Sequence, residues 1–172
     1  MDISVFLTDK TIKAKVKTET ISKWLLTNKI RPGELTALAE KSKDPDKATC
    51  IEALEFASKK KPTIVDQKCF LYVSQSLTAK APRIKWECAK VIGNTANLFI
   101  TKLDTAIKNL LVNTEHEGTV VRWSAAFALG EILKLKTKHN KQLLPAIEAI
   151  CKREEKNSIK KIYLDAMKKT AK

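Results

Sequence analysis

Two histidines, four cysteines, three tryptophans and the adjacent pair Glu154-Glu155 are the side chains of this 172-residue chain whose type or spacing could support chemistry. His116 stands between Glu115 and Glu117, and His139 within Lys138-His139-Asn140-Lys141, both in expected turns. Either could serve as a general base. Neither has a partner at a helix-pattern distance to orient it, so both read as solvated loop residues. Consecutive helical residues diverge by about 100°, which keeps Glu154 and Glu155 off a common face. No serine-centred elbow, glycine-rich phosphate loop or His-Glu-x-x-His run occurs. The inventory assigns no catalytic residue and reads as that of a non-enzyme.

Cys50, Cys69, Cys88 and Cys151 lie singly in helix-patterned segments, with no Cys-x-x-Cys pair and no neighbouring histidine. That spacing supplies neither a zinc site nor a disulfide framework, so no metal and no cofactor is expected. The thiols read as small buried apolar groups in a reducing compartment.

Trp86 and Trp123 carry the more specific spacing. Each follows a basic residue, Lys85 or Arg122, and the segment Lys85-Trp86-Glu87-Cys88-Ala89-Lys90-Val91-Ile92-Gly93 overlies Arg122-Trp123-Ser124-Ala125-Ala126-Phe127-Ala128-Leu129-Gly130 at an offset of 37. Stepping back 38 from Lys85 reaches Lys47, and stepping forward 38 from Arg122 reaches Lys160, with apolar residues again in register. A period of that length marks an array of helix pairs. If the second helices line a concave side, Lys47, Lys85, Trp86, Arg122, Trp123 and Lys160 are the candidate binding residues. Trp123 falls about 60° from the core centre of its helical wheel, a border position. Two readings stay open: packing between repeats, with Gly93 and Gly130 making room for the indoles, or an aromatic strip that stacks on a base or anchors a peptide side chain.

The elements that must position these residues follow from periodicity and punctuation. First helices are expected over about 32–43, 63–78, 103–114 and 140–156, and second helices from about Pro45, Pro82, Thr119 and Ser158. Asp44-Pro45 suits an N-cap followed by proline at the first helical position. The last helix carries Ile159, Ile162, Tyr163, Ala166 and Met167 on one stripe and leaves its lysines largely off it, as the end of a stack requires. Residues 1–31 fall outside the repeat and read as an N-terminal helical cap or a fifth, degenerate unit.

Arg122-Trp123-Ser124-Ala125-Ala126-Phe127-Ala128-Leu129-Gly130 resembles the second-helix signature of HEAT repeats, and Leu143-Leu144-Pro145-Ala146-Ile147-Glu148-Ala149-Ile150 a HEAT first helix with its internal proline. The resemblance covers about residues 32–172 and implies an all-α fold, a short α-α superhelix of about four helix pairs (32–61, 62–100, 101–138 and 139–172). The basic position is lysine in three of the four copies, and Asp44 alone supplies the turn aspartate, so no regular ladder of ion pairs is expected. By analogy of fold, the chain resembles interaction modules that hold an acidic or extended segment of a partner protein on the concave face. The alternative is a nucleic-acid-binding protein similar to the HEAT-like alkylpurine DNA glycosylases. Lys90 and Phe127, rather than an acid, stand four residues after the two tryptophans, so glycosylase activity is not expected. A bilin-lyase-like enzyme finds no residue-level support.

Composition agrees. Four glycines, 6% aromatics and 30% charged residues favour helices over a β-sandwich or a disordered chain. The net charge of +14 gathers towards the ends, with twelve basic and four acidic residues over 134–172 and seven against one over 10–31. Such a field attracts polyanions, but 29 of the 33 basic residues are lysine, which also serves simply as a solvated surface. No apolar stretch approaches the roughly 20 residues of a membrane span, and the first residues lack the pattern of a signal peptide. The expectation is a cytoplasmic protein with no membrane contact.

Overall fold

The computed structural model describes residues 2–172, which form ten α-helices and no strand. They are α1 (Ile3–Thr8), α2 (Ala14–Leu26), α3 (Pro32–Lys41), α4 (Asp44–Lys60), α5 (Gln67–Ser76), α6 (Pro82–Thr95), α7 (Asp104–Asn113), α8 (Thr119–Lys134), α9 (Asn140–Arg153) and α10 (Asn157–Ala171). The all-α solenoid expected from the repeat is the fold observed.

Local chemistry sets the helix starts. Asp2 caps α1 by accepting from the Ser4 amide at 2.8 Å, and Asp66 caps α5 by accepting from Cys69 at 2.8 Å. Pro32 opens α3, where the Glu34 carboxylate reaches back to the Arg31 amide at 2.7 Å. Two expectations are corrected. Asp44 does not cap α4; it is the first helical residue, with Lys43 at the cap, and acts with Asp46 as negative charge on the first turn. The segment after Pro62 forms a 3-10 turn over Pro62–Ile64, so α5 starts at Gln67 rather than at Thr63.

Even-numbered helices pack side by side along their lengths, α2 on α4, α4 on α6, α6 on α8 and α8 on α10, while α3, α5 and α7 touch their like neighbours more sparsely. The even-numbered helices therefore form the more closely packed layer of the solenoid, here called the inner layer. One continuous apolar core runs between the layers from Leu7 to Ala166. Residues 1–31 supply α1 and α2, and α2 occupies the inner layer beside α4 as any other second helix does.

The basic column has a structural task. Lys85 on α6 donates to the Leu77 carbonyl at the end of α5 and to Asn113 Oδ1 on α7, both at 3.1 Å. Arg122 on α8 donates to the carbonyls of His116 and Glu117 at 2.9 Å, and its Nε meets Glu154 Oε2, beyond the end of α9, at 3.0 Å. Lys17 on α2 donates in the same way to the Leu7 carbonyl of α1. Lys17 and Lys85 satisfy carbonyls at the C-terminal ends of α1 and α5, where their charge suits the negative end of the helix, and Arg122 satisfies carbonyls of the α7–α8 turn. At α3 that task falls to Ser42, whose hydroxyl donates to the Leu38 carbonyl at 2.7 Å; Lys47 makes no side-chain hydrogen bond among the described residues.

Replacing Arg122 with methionine, which keeps the aliphatic stem and removes five donors, is expected to cost about 2–4 kcal/mol in urea denaturation. Lys85→Met is expected to cost about 1–2 kcal/mol, and Lys47→Met to stay within about 0.5 kcal/mol of the parent.

Candidate binding surface

The solvent-facing stripe of the inner layer is identified by which side chains escape burial in mid-helix. On α4 these are Glu52 and Phe56; on α6, Arg83, Trp86 and Lys90; on α8, Trp123, Phe127 and Glu131; on α10, Ile162, Asp165 and Lys169. The spacings of three or four residues within each helix put them on one face. Side by side, α4, α6 and α8 each place at least one aromatic ring among charged residues on this face, and α10 places Ile162.

Trp123 is 41% exposed, and its ring lies nearly parallel to that of Phe127, with centroids 6.0 Å apart and planes at 10°. Phe127 in turn rests over Gly93 of α6: a Cβ there would lie 2.3 Å from the phenyl Cε1. The glycine makes room for a phenyl ring of the next helix, not for an indole as the sequence suggested. Trp86 is half-buried, and its indole N–H donates to Glu87 Oε1 at 2.8 Å.

Charges on the stripe come in pairs. Arg83 meets Glu52 at 2.6 Å, and Glu52 also accepts from the Thr18 hydroxyl at 2.8 Å. Lys90 lies 3.0 Å from Glu87 and 3.6 Å from Glu55, and Lys134 pairs with Glu131. Glu87 is only 3% exposed; burial pushes its carboxyl above the ordinary range, against the pull of Lys90 and of the Trp86 N–H. An acid thus reaches Trp86 from the adjacent position rather than from four residues on, which periodicity alone could not reveal.

Lys85 and Arg122 do not share this stripe. Both turn towards the carbonyls they satisfy, so the structure separates them from Trp86 and Trp123. Lys47 and Lys160 are half-buried at the matching positions of α4 and α10. Phe56, Phe127 and Glu52 belong to the stripe and were not singled out, although Phe127 stands one helical turn after Trp123.

Arg122, Arg153, His116 and Glu154 line a polar cleft of about 550 Å³ at the edge where the α7–α8 and α9–α10 turns meet. Within it the Glu154 carboxyl is pushed up by burial but held below its ordinary value overall by Arg122 and by the amides of Lys156 and Glu155. His116 accepts the Gly118 amide at 2.9 Å. His139 departs from its solvated-loop reading: it is 9% exposed, with Nδ1 3.7 Å from Asp104 Oδ1. Among the described residues no group of three or more His, Cys, Asp or Glu side chains is placed to hold a metal ion. Cys50 and Cys69 are buried with their thiols pushed up to about 12, the opposite of an activated nucleophile. Cys151 is only partly buried. No described helix is long and apolar enough to cross a membrane.

Compared with known proteins, the chain is similar to designed and engineered repeat structures. A designed armadillo repeat protein solved in complex with peptide (KR)4 aligns with a TM-score of 0.71 and 15% identity over 98% of this chain and 80% of that one. A second designed armadillo repeat protein gives 0.74 at 14% identity, over 98% and 80%. An engineered protein gives 0.77 at 15% identity, over 98% and 79%. At such identities the likeness concerns the fold alone: the two designed neighbours are armadillo repeats, an α-solenoid related to HEAT. No protein-family model and no curated protein matches the chain.

The two shifted carboxyls should leave opposite signatures. Glu154, held low, adds stability that is present above the ordinary carboxylate pKa and lost as pH falls through its lowered value. Glu154→Gln is therefore expected to be less stable than the parent near neutrality, with the gap closing in acid. Glu87, pushed high, makes the parent gain stability as pH falls through its raised value. Glu87→Gln, which keeps an acceptor for the Trp86 N–H, should be at least as stable as the parent at neutral pH and lose that advantage on acidification. Urea denaturation of both variants across the acid range reads both effects.

Proposed function

We propose that this chain is a non-enzymatic interaction module that holds an extended segment of a partner protein along its inner face. The observation that carries the reading is Trp123, 41% exposed on that face, held flat against Phe127 and matched by Trp86 at the same repeat position of α6. Large rigid aromatics on an otherwise polar surface bury much area on binding at little entropic cost. The (KR)4 peptide bound by one of the designed armadillo neighbours supports an extended peptide as the kind of ligand such a solenoid takes.

Charge on the stripe favours an extended over a strongly acidic partner. Arg83, Lys90 and Lys134 are each engaged by a carboxylate of the same face, which leaves Lys161 and Lys169 of α10 as its exposed cations outside any ion pair among the described residues. Exposed Lys152 and Lys156 lie on α9 and in the α9–α10 turn, whereas Lys161 is the match of Trp123 on α10, at an offset of 38.

Panning a phage-displayed random peptide library against the full chain tests the proposal. Selected peptides are expected to lose at least about tenfold in affinity, roughly 1.4 kcal/mol, with Trp123→Ala, while circular dichroism stays unchanged. Arg122→Met, which acts away from the stripe, should leave the affinity of the folded protein intact. Peptides indifferent to Trp123→Ala would contradict the assignment of the inner face.

A further inference from the structure

The repeat sets a glycine at the same place on two inner helices, covers one with a phenyl ring and the other only with the smaller side chains of Ile162 and Ala166, and leaves a pocket beside the second. On α6, Gly93 leaves a gap in the inner face that the Phe127 ring of the next helix occupies. Gly130 is the matching residue on α8, at an offset of 37, and Asp165 is the match of Phe127 on α10, at an offset of 38. An aspartate cannot fill the gap as a phenyl ring does. The nearest atoms to the missing Cβ of Gly130 are instead Ala166 Cβ at 3.4 Å and Ile162 Cγ2 at 3.5 Å, both ordinary contacts.

What remains is a cavity of about 210 Å³ on the inner face, walled by Phe127, Gly130, Ile162 and Ala166. A cavity of about 150 Å³ with apolar walls is enough to hold benzene. Its rim carries two acids, Glu131 and Asp165, and two bases, Lys134 and Lys169, so it selects neither sign of charge. Phe127 is wedged over Gly93 and stacked on Trp123, which makes it a fixed wall rather than a mobile lid.

Building on the reading of this face as a peptide groove, we infer that the notch over Gly130 is an anchor subsite for an aromatic side chain of the bound partner segment. That side chain reproduces in trans the packing that Phe127 makes over Gly93 in cis. The subsite lies next to Trp123 and gives the groove a register: one aromatic residue seated between α8 and α10, with the segment running on across Trp123 towards Trp86.

The test uses N-acetyl-phenylalanine amide as a probe, titrated into the full chain and followed by methyl NMR of Ile162 and Ala166. Saturable shifts at both methyls are expected, and N-acetyl-alanine amide should produce none at the same concentrations. Gly130→Leu plugs the notch and should abolish the shifts. Should that variant not fold, Asp165→Phe, at an exposed position, supplies the ring from within; it should abolish probe binding and show NOEs from the new ring to the Gly130 α-protons. Library-selected peptides are expected to share one aromatic position and to bind either variant at least about tenfold more weakly. Absence of shifts at Ile162 and Ala166, or shifts that survive both variants, overturns the inference. So does a concentration-dependent dimer that covers the same methyls, which would seat a second copy there. Peptides that engage Trp123 yet ignore both notch variants overturn the anchor and leave the groove standing, whereas peptides that ignore Trp123 overturn the groove itself.

Discussion

Close approach of the second helices is the constraint on which the rest depends. Ala53, Ala57, Cys88, Ala89, Ala125, Ala126, Ala128 and Ala166 are buried within the layers, and Gly93 and Gly130 lack a Cβ where Phe127 and where Ile162 and Ala166 of the next helix pack against them. Small residues let backbones lie close, so inner helices pack along their lengths while outer helices spread apart. A large residue on the contact line has to leave it, as Phe127 does by lying over Gly93, and its ring stacks with that of Trp123 on the inner face.

The polar contacts hold this stack together from its edge. Lys17 and Lys85 each reach from a second helix to the carbonyl end of the first helix of the same pair, and Arg122 to carbonyls of the turn that follows α7. Lys85 and Arg122 also reach the following first helix, through Asn113 and Glu154. Basic residues at a repeat period are easily taken for a ligand-binding column. Here they are cations spent on helix-end and turn carbonyls, and the stripe that faces solvent is nearly balanced in charge although the chain as a whole is strongly basic.

Much of the fold is legible in the sequence. The offsets of 37 and 38 between Lys47, Lys85, Arg122 and Lys160, with the helical spacing around them, are enough to place second helices from the α4 to the α10 positions. The capping signal of Asp66, which delays α5 beyond the 3-10 turn after Pro62, is local and was readable; periodicity over Thr63–Thr78 masked it. The site is less legible, for a physical reason. Whether Lys85 faces a ligand or the Leu77 carbonyl depends on how two helices cross, and whether Gly93 accommodates an indole or the Phe127 ring depends on the helix after it. His139 is buried and lies beside Asp104 of α7, a neighbour 35 residues away that no local pattern reveals. Trp123 is the exception, since its border position on a single helical wheel already set it at the surface.

The account stands most directly on where a bound peptide lies. Hydrogen–deuterium exchange of the full chain, alone and saturated with a library-selected peptide, measures it. Added protection should fall on α6, α8 and α10, whose inner faces carry Trp86, Trp123 and the notch over Gly130. Protection confined to α3, α5, α7 or α9 would contradict the account.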